Sequence, residues 1–333
     1  MKDEGKTASM AALHRVAVTV LILTGVVVAA EAFAQGYPAR ALRIVVPSSS
    51  GSGADYSARL ISQPLSDRLG QQVVVENRAG AATMIGTEVV AKSPPDGYTL
   101  LLGVGTLATA PAMYKKVPYD ALRDLAPVTQ LASVANVLVV HPSLPAKSVK
   151  ELVALAKARP GEIAFASSGT GTLPHLSMEL FLVMTGTKML HVPYKGPGPG
   201  LFDLLSGRVS AMTTSTAAAF PHIRSGRLLV LGVTTARRVA VMPDVPTIAE
   251  AGVAGYESVQ WWGLLVPAGT PEDIIARLHK EVVSVMSTQD IRERFEKEGM
   301  AVIARSPQEF GAFIRAETEK WARIVKRAGI QPE

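Results

Sequence analysis

Two runs of small residues carry the chemistry that this sequence offers. Ser48-Ser49-Ser50-Gly51-Ser52-Gly53 and Ser167-Ser168-Gly169-Thr170-Gly171-Thr172 each follow a strand-like apolar stretch and precede a helical pattern. Glycine lets the backbone approach a ligand closely. The free N–H groups and dipole of a helix N-terminus favour an anion there. The hydroxyls of Ser48, Ser50, Ser52, Ser168, Thr170 and Thr172 add further donors. Two such loops facing one another across a cleft would clamp a carboxylate. Either loop taken singly is equally well explained as a βα turn with a capping residue, such as Ser52 or Asp55. Their repetition in one chain favours binding. The candidate ligand-binding residues are Ser48, Ser50, Gly51, Ser52, Asp55, Thr106, Ser168, Gly171, Thr172, His175 and Thr214.

Other chemistries find no support. The chain has no cysteine, which excludes disulfides, thiolate nucleophiles and iron–sulfur or zinc–thiolate sites. Gly51-Ser52-Gly53 lacks the third glycine of a dinucleotide fingerprint, and no phosphate-binding Gly-Lys-Ser/Thr or Gly-x-Ser-x-Gly elbow occurs. The six histidines show no metal-ligand spacing. His175 opens a helix after the second loop, where satisfying the loop backbone is the favoured role over ligand contact. His279 reads as a surface residue of a C-terminal helix. No catalytic residue, metal or cofactor is expected.

The elements that must position these loops alternate. Leu42–Val46 reads as a buried strand, a helix carries Tyr56 to Leu69 with Gly70 as its stop, and Val73–Val75 is a second strand. A helix from Thr83 to Ala91 and a strand from Tyr98 to Leu102 follow. The middle repeats the pattern: helix Val149–Ala158, strand Ile163–Ala166, a helix from near Pro174 and strand Met189–Val192. After a turn at Tyr194–Gly200 and a short helix through Leu205 come strands Val209–Thr213 and Leu228–Val233. This order implies parallel sheets with right-handed crossovers. Thr270-Pro271-Glu272-Asp273 and Ser306-Pro307-Gln308-Glu309 are helix starts, with Thr270 and Ser306 as caps. Extended stretches near Leu131–Val140 and Val259–Val266 are candidate crossings between lobes. Trp261-Trp262 within the second suggests core or hinge packing.

The chain's 333 residues suffice for two domains. Its net charge of +6 is scattered rather than clustered, unlike the basic stripe of a nucleic-acid binder. Arg15, the apolar run Val16–Ala30 and Ala32-Phe33-Ala34 form a secretory signal pattern. The run reaches only about 22 Å as a helix, against about 30 Å of hydrocarbon. Cleavage after Ala34 and a periplasmic protein are expected.

Ordered motifs along the chain then point further. Tyr37-Pro38, Ile44-Val45-Val46-Pro47, Gly51-x-Gly53-x-Asp55, Leu69-Gly70-Gln71 and Glu76-Asn77-Arg78-x-Gly80 are followed by Asp96-Gly97-Tyr98-Thr99-Leu100. Ser168-Gly169-x-Gly171-Thr172-x-x-His175-Leu176, His191-Val192-Pro193-Tyr194-Lys195-Gly196, Pro243-Asp244-Val245-Pro246-Thr247 and Pro267-x-Gly269-Thr270-Pro271 complete the set. The chain resembles the tripartite tricarboxylate transporter receptor family, the Bug-type extracytoplasmic binding proteins. The resemblance implies an α/β, two-lobed Venus-flytrap fold of type II-like kind. Residues 35–138 plus 260–333 would form lobe 1 and residues 139–259 lobe 2. It implies a monomer that captures a small organic acid between the first βα loop and Ser168–Thr172. The partner would be membrane transporter subunits or, alternatively, a sensor ectodomain, and not nucleic acid.

Two departures from the family pattern matter. Members usually carry Phe-Pro-Pro-Gly-Gly where this chain has Ser48-Ser49-Ser50-Gly51-Ser52, which implies a roomier, more polar pocket and a ligand rich in hydroxyl or carboxylate groups. Ser210 stands where an acidic residue is common, which removes a partner for an ammonium group. A periplasmic enzyme would need an activated nucleophile, a metal cluster or paired carboxylates, and the sequence presents none of these patterns.

Overall fold

The computed structural model describes residues 36–194 and 196–332; the expected signal peptide lies outside them. Strand β1 (Leu42–Val46) lies between β2 (Val73–Asn77) and β3 (Thr99–Val104), all parallel. Helices α1 (Gly53–Leu69) and α2 (Met84–Ala91) make the crossovers, and α3 (Thr106–Met113) follows β3. The 16-residue β4 (Leu125–Val140) then leaves this sheet and enters a second one. There α4 (Val149–Ala158) leads to β5 (Ala164–Ser167), which sits between β6 (Leu190–Pro193) and β7 (Ala211–Ser215), again all parallel. Helices α5 (Leu173–Thr185), α6 (Pro197–Leu205) and α7 (Thr216–Arg224) follow β5, β6 and β7, and β8 (Leu229–Val233) pairs with β4.

The chain returns along β9 (Val259–Pro267), antiparallel to both β3 and the first part of β4. Helices α8 (Glu272–Met286) and α9 (Gln289–Lys297), strand β10 (Met300–Arg305) and helix α10 (Pro307–Ala328) complete the fold. Both stretches expected to be extended crossings are thus strands, paired with one another. The result is a two-lobed α/β protein whose sheets share one strand.

Local chemistry explains most boundaries. Ser52 caps α1 by accepting from the Asp55 N–H, and Gly70 ends it in the left-handed region. Ser306 and Glu309 form a reciprocal capping box at α10. Thr270 is not the cap expected of it: its hydroxyl donates to Pro267 O at 2.7 Å, and Pro271 occupies the N-cap of α8. The expected turn at Tyr194–Gly200 is helical from Pro197 onward. Gly200 lets α6 press onto β5, since a Cβ there would lie 3.3 Å from Ala166 Cβ. Helices α3 and α7 escaped the pattern because each is short and carries an internal proline, Pro111 or Pro221.

One apolar core runs through both lobes, from Val45 and Leu101 through Leu138 to Phe165 and Phe181, sealed by Trp261, Phe310 and Trp321. Trp261 is fully buried, edge-on to Phe310 and Phe313 at 5.5 and 5.8 Å. The tryptophan pair therefore packs the core, as expected. Close packing leaves Gly263 no room: a Cβ there would sit 2.3 Å from Phe310 Cζ and 2.9 Å from Thr129 O. Gly263→Ala is expected to destabilise the protein by about 1–3 kcal/mol through overpacking. Urea unfolding of the mature chain checks this, and an unchanged midpoint would contradict the packing described.

Candidate ligand-binding cleft

Strand directions decide where a site can lie. In the first lobe the chain crosses from β1 to β2 on one side and then to β3 on the other, so the switch point lies between β1 and β3. In the second lobe the switch point lies between β5 and β7. Ligands of open α/β sheets bind beyond the carboxyl ends of strands at such points. Because β9 runs against both β3 and β4, β3 points along β4, whereas β7 points against β4. The carboxyl ends of the two parallel sets therefore face each other. Val104 is level with Trp262 and so with Ala132, while Ser215 is level with Asn136. Four residue steps of β4 separate these levels, about 13 Å along the strand. The facing rims are the loops after β1, β2 and β3 on one side and after β5 and β7 on the other.

The first loop is held from within. The Asp55 carboxylate, almost fully buried, accepts from the Gly51 N–H at 2.9 Å, from Arg59 Nε at 3.0 Å and from Ser50 Oγ at 3.4 Å. Arg59 also donates to Asn77 Oδ1, and Asn77 donates to Ser48 O at 3.1 Å. Burial pushes the Asp55 carboxyl upward, but hydrogen bonds from Arg59 and the Gly51 N–H outweigh it and hold the group below its ordinary value. The Asp55 carboxylate is spent on the loop and positions it. Beneath, Gly53 touches the Trp262 ring, where a Cβ would lie 3.1 Å from Cζ2.

The neighbouring loop supplies a feature that sequence reasoning missed. Ala81, Ala82 and Thr83 all have positive φ, a strained run of the kind that clusters at functional sites. Thr83 Oγ1 lies 2.6 Å from Oγ1 of Thr106 at the start of α3, so Thr106 joins the rim through a residue not singled out beforehand. The only hint in the sequence was Gly80 between a strand and a helix.

In the second lobe, Ser168 Oγ donates to Thr172 Oγ1 at 3.2 Å, and Thr172 Oγ1 donates to Gly169 O at 2.7 Å. The Gly171 N–H donates to His175 Nδ1 at 3.1 Å, the loop-satisfying role favoured for this residue. Gly171 also lies against α3 of the other lobe, where a Cβ would come within 2.8 Å of Met113 Cε. The His175 ring stacks on His191 with centroids 3.9 Å apart. Burial and the neighbouring His175 lower the His191 pKa to about 4. Thr214 is buried in β7 opposite Val137, next to Ser215, whose side chain caps α7 through the Ala218 N–H. The structure thus sets Ser48, Ser50, Gly51, Ser52, Asp55 and Thr106 on one rim. Ser168, Gly171, Thr172, His175 and Thr214 lie on the other. His279 departs from expectation: its ring is only partly exposed, and Nδ1 is enclosed without a hydrogen-bond partner.

The electrostatics of the rims follow from composition. Residues 47–54, 79–86, 103–109, 167–175 and 213–220 contain no lysine or arginine. Any anion held by them rests on neutral N–H and O–H donors and on helix dipoles. Helices α2, α3, α5 and α7 have no acidic residue in their first turn, whereas α1 has Asp55. Among the described residues, no group of three or more His, Asp or Glu side chains could hold a metal.

These features define a two-lobed solute-binding protein. The chain belongs to the tripartite tricarboxylate transporter receptor family, whose model matches residues 57–330. It is 39% identical to protein BugT of Bordetella pertussis over 91% of this chain and 94% of that one. An R. palustris protein solved with adipate is 38% identical, with a TM-score of 0.75 over 89% of this chain and all of that one. MatC from Rhodopseudomonas palustris, solved with bound malate, is 31% identical, with a TM-score of 0.71 over 87% of this chain and all of that one. The family is one of solute-binding receptors, not of enzymes.

Asp55 yields a test of the loop's construction. Asp55→Asn removes the charge that Arg59 and Gly51 bind, and should cost about 1–3 kcal/mol at neutral pH. A carboxyl with a lowered folded pKa contributes its stability above its unfolded value, about 3.9, and loses it as pH falls through the folded value. The difference between wild type and variant should therefore shrink below about pH 4 in urea titrations. A difference independent of pH would show that charge is not the cause.

Proposed function

We propose that this protein is exported and captures a small organic carboxylate between its lobes for a tripartite tricarboxylate-type transporter. The single observation that carries this reading is the facing of two carboxyl-end rims, both built of neutral donors at helix N-termini. Residues 1–34 act as a cleavable signal peptide, and no described helix is long and apolar enough to cross a membrane. Lobe 1 comprises residues 35–138 and 260–333, lobe 2 residues 139–259. The candidate residues from Ser48 to Thr214 form the two rims of the cleft between them, Asp55 and His175 by holding their loops in shape. Proteins similar to this one have been solved with adipate and with malate, which supports a dicarboxylate.

The two rims divide the ligand. The α5 N-terminus is free of acidic residues in its first turn, so a carboxylate goes there. The α1 N-terminus already faces the Asp55 carboxylate, so the serine loop receives a hydroxyl-bearing or weakly charged part. A hydroxylated di- or tricarboxylate fits both ends.

Thermal unfolding of the mature protein against dicarboxylates, tricarboxylates, hydroxy acids, aromatic acids and amino acids tests the proposal. A ligand at about 100 times its dissociation constant stabilises by about 2.7 kcal/mol, a rise of several degrees. A shift confined to carboxylates is expected, and no shift with any acid in ligand-free folded protein would overturn the reading. Replacing Ser48 with Phe and Ser49 and Ser50 with Pro should weaken a hydroxy acid about tenfold, the worth of about 1.4 kcal/mol. The plain dicarboxylate should bind as before. Equal effects on both acids would refute the division of the ligand.

A further inference from the structure

Gly171 is the most constrained position of the second loop, with φ +75° and Met113 of the opposite lobe against it. Its N–H is held by Nδ1 of His175 at 3.1 Å. An accepting Nδ1 places the ring proton on Nε2, which faces Glu179 Oε1 at 3.5 Å. The ring is 3% exposed, so it has no room to turn toward water. The stacked His191 completes a matching arrangement. Its Nε2 lies 2.7 Å from Ser167 Oγ, which accepts from the Gly169 N–H at 3.2 Å and donates to Gly169 O at 3.1 Å. Two stacked imidazoles thus hold two glycines of one loop.

We propose that neutral His175 is a positioning residue for ligand capture, fixing Gly171 so that the loop 168–172 keeps its receiving shape, and that a proton on Nδ1 releases it. The proposal rests on the reading of this loop as the carboxylate end of the cleft. A proton on Nδ1 would set two donors face to face across the present bond, so the bond is lost. The titratable groups facing the ring are Glu179 on its own helix and His191 on β6, while Phe165 on β5 stacks in the same column and carries no charge. The stacked pair opposes two charges at once. The low value of His191, about 4, keeps that ring neutral at higher pH. Affinity is therefore full while Nδ1 accepts from the Gly171 N–H and falls where Nδ1 carries a proton.

The test is calorimetric titration of the mature protein with malate and with adipate from about pH 8 to about pH 5, the range in which an imidazole changes charge. His175→Gln keeps an oxygen acceptor for the Gly171 N–H but takes no proton. With each protein's affinity scaled to its own value near pH 8, the extra fall at pH 5 should be present in wild type and absent in the variant. The ratio of the two proteins cancels the protonation of the acid itself. Wild type should lose between about twofold and tenfold more than the variant, the worth of one hydrogen bond. His175→Leu should be weak throughout. Binding with identical pH profiles in wild type and His175→Gln overturns the positioning role and leaves the carboxylate reading standing. No binding by any form at any pH overturns both. A second readout needs neither ligand nor variant: in the wild-type protein labelled with nitrogen-15 glycine, the Gly171 amide should move in one step with the imidazole titration. A Gly171 amide that stays still also overturns the proposal.

Discussion

Everything in this molecule hangs on the pairing of one strand. β4 has 16 residues, nearly all buried, and a buried strand must have its backbone groups paired along both edges. Its first part is flanked by β9 and β10 and its second by β7 and β8. Both sheets are therefore anchored on one backbone, and their parallel sets run in opposite senses along it. That opposition turns two ordinary α/β lobes into facing rims of helix N-termini. Helix α10 braces the arrangement by packing on β4, α3 and α5. Trp321 lies inside the shared core, and Lys320 donates to Glu257 O just before β9.

In the proposed capture of a carboxylate, the loop segments 47–54, 79–86, 103–109, 167–175 and 213–220 would meet the ligand without lysine or arginine. A carboxylate leaving water for a cleft must replace its hydration, and a lysine or arginine would supply that strongly but with little shape. Neutral donors fixed by backbone geometry supply direction instead, and oriented dipoles act without reorganising. The asymmetry between lobes follows from one residue. Asp55 occupies the Gly51 N–H just before α1 and sets a negative charge there, and Arg59 neutralises it at 3.0 Å. The corresponding turn of α5 carries His175, a neutral acceptor that holds one N–H and leaves the dipole uncancelled.

Much of this was legible in the sequence where local chemistry and burial agree. The strand at Leu42–Val46, the helix at Val149–Ala158 and the capped start at Ser306 were read at their observed positions because apolar period, cap and stop residue coincide there. The glycine loops were legible as turns between a strand and a helix N-terminus for the same reason. What was not legible depends on tertiary contact. Thr270 reads as a cap, yet its hydroxyl turns back to Pro267 at the end of β9. Ala81 to Thr83 look like an unremarkable helix start, and nothing local favours positive φ in three non-glycine residues. The helix they lead into sits hard against two loops, since a Cβ on Gly86 would lie 2.7 Å from Arg78 O and 2.8 Å from Pro47 Cα. His279 looked like a surface histidine because its helix is amphipathic, and only the fold enclosed its Nδ1.

The serine loop poses the remaining question of how a flexible segment can bind. A run of serines has more conformations to lose on ordering than a proline-rich one, and each residue fixed costs about 1–2 kcal/mol of backbone entropy. A loop ordered only by its ligand would subtract that cost from affinity. Here the ordering precedes the ligand. Asp55 grips Gly51 and Ser50, Asn77 grips Ser48, and Arg59 ties those two side chains together. The network substitutes hydrogen bonds for ring constraint, and it leaves the serine hydroxyls, rather than rigid apolar rings, at the mouth of the cleft. Polarity at the rim and preorganisation of the loop are thus separate properties with separate residues behind them, which is why the sequence could change the first without giving up the second.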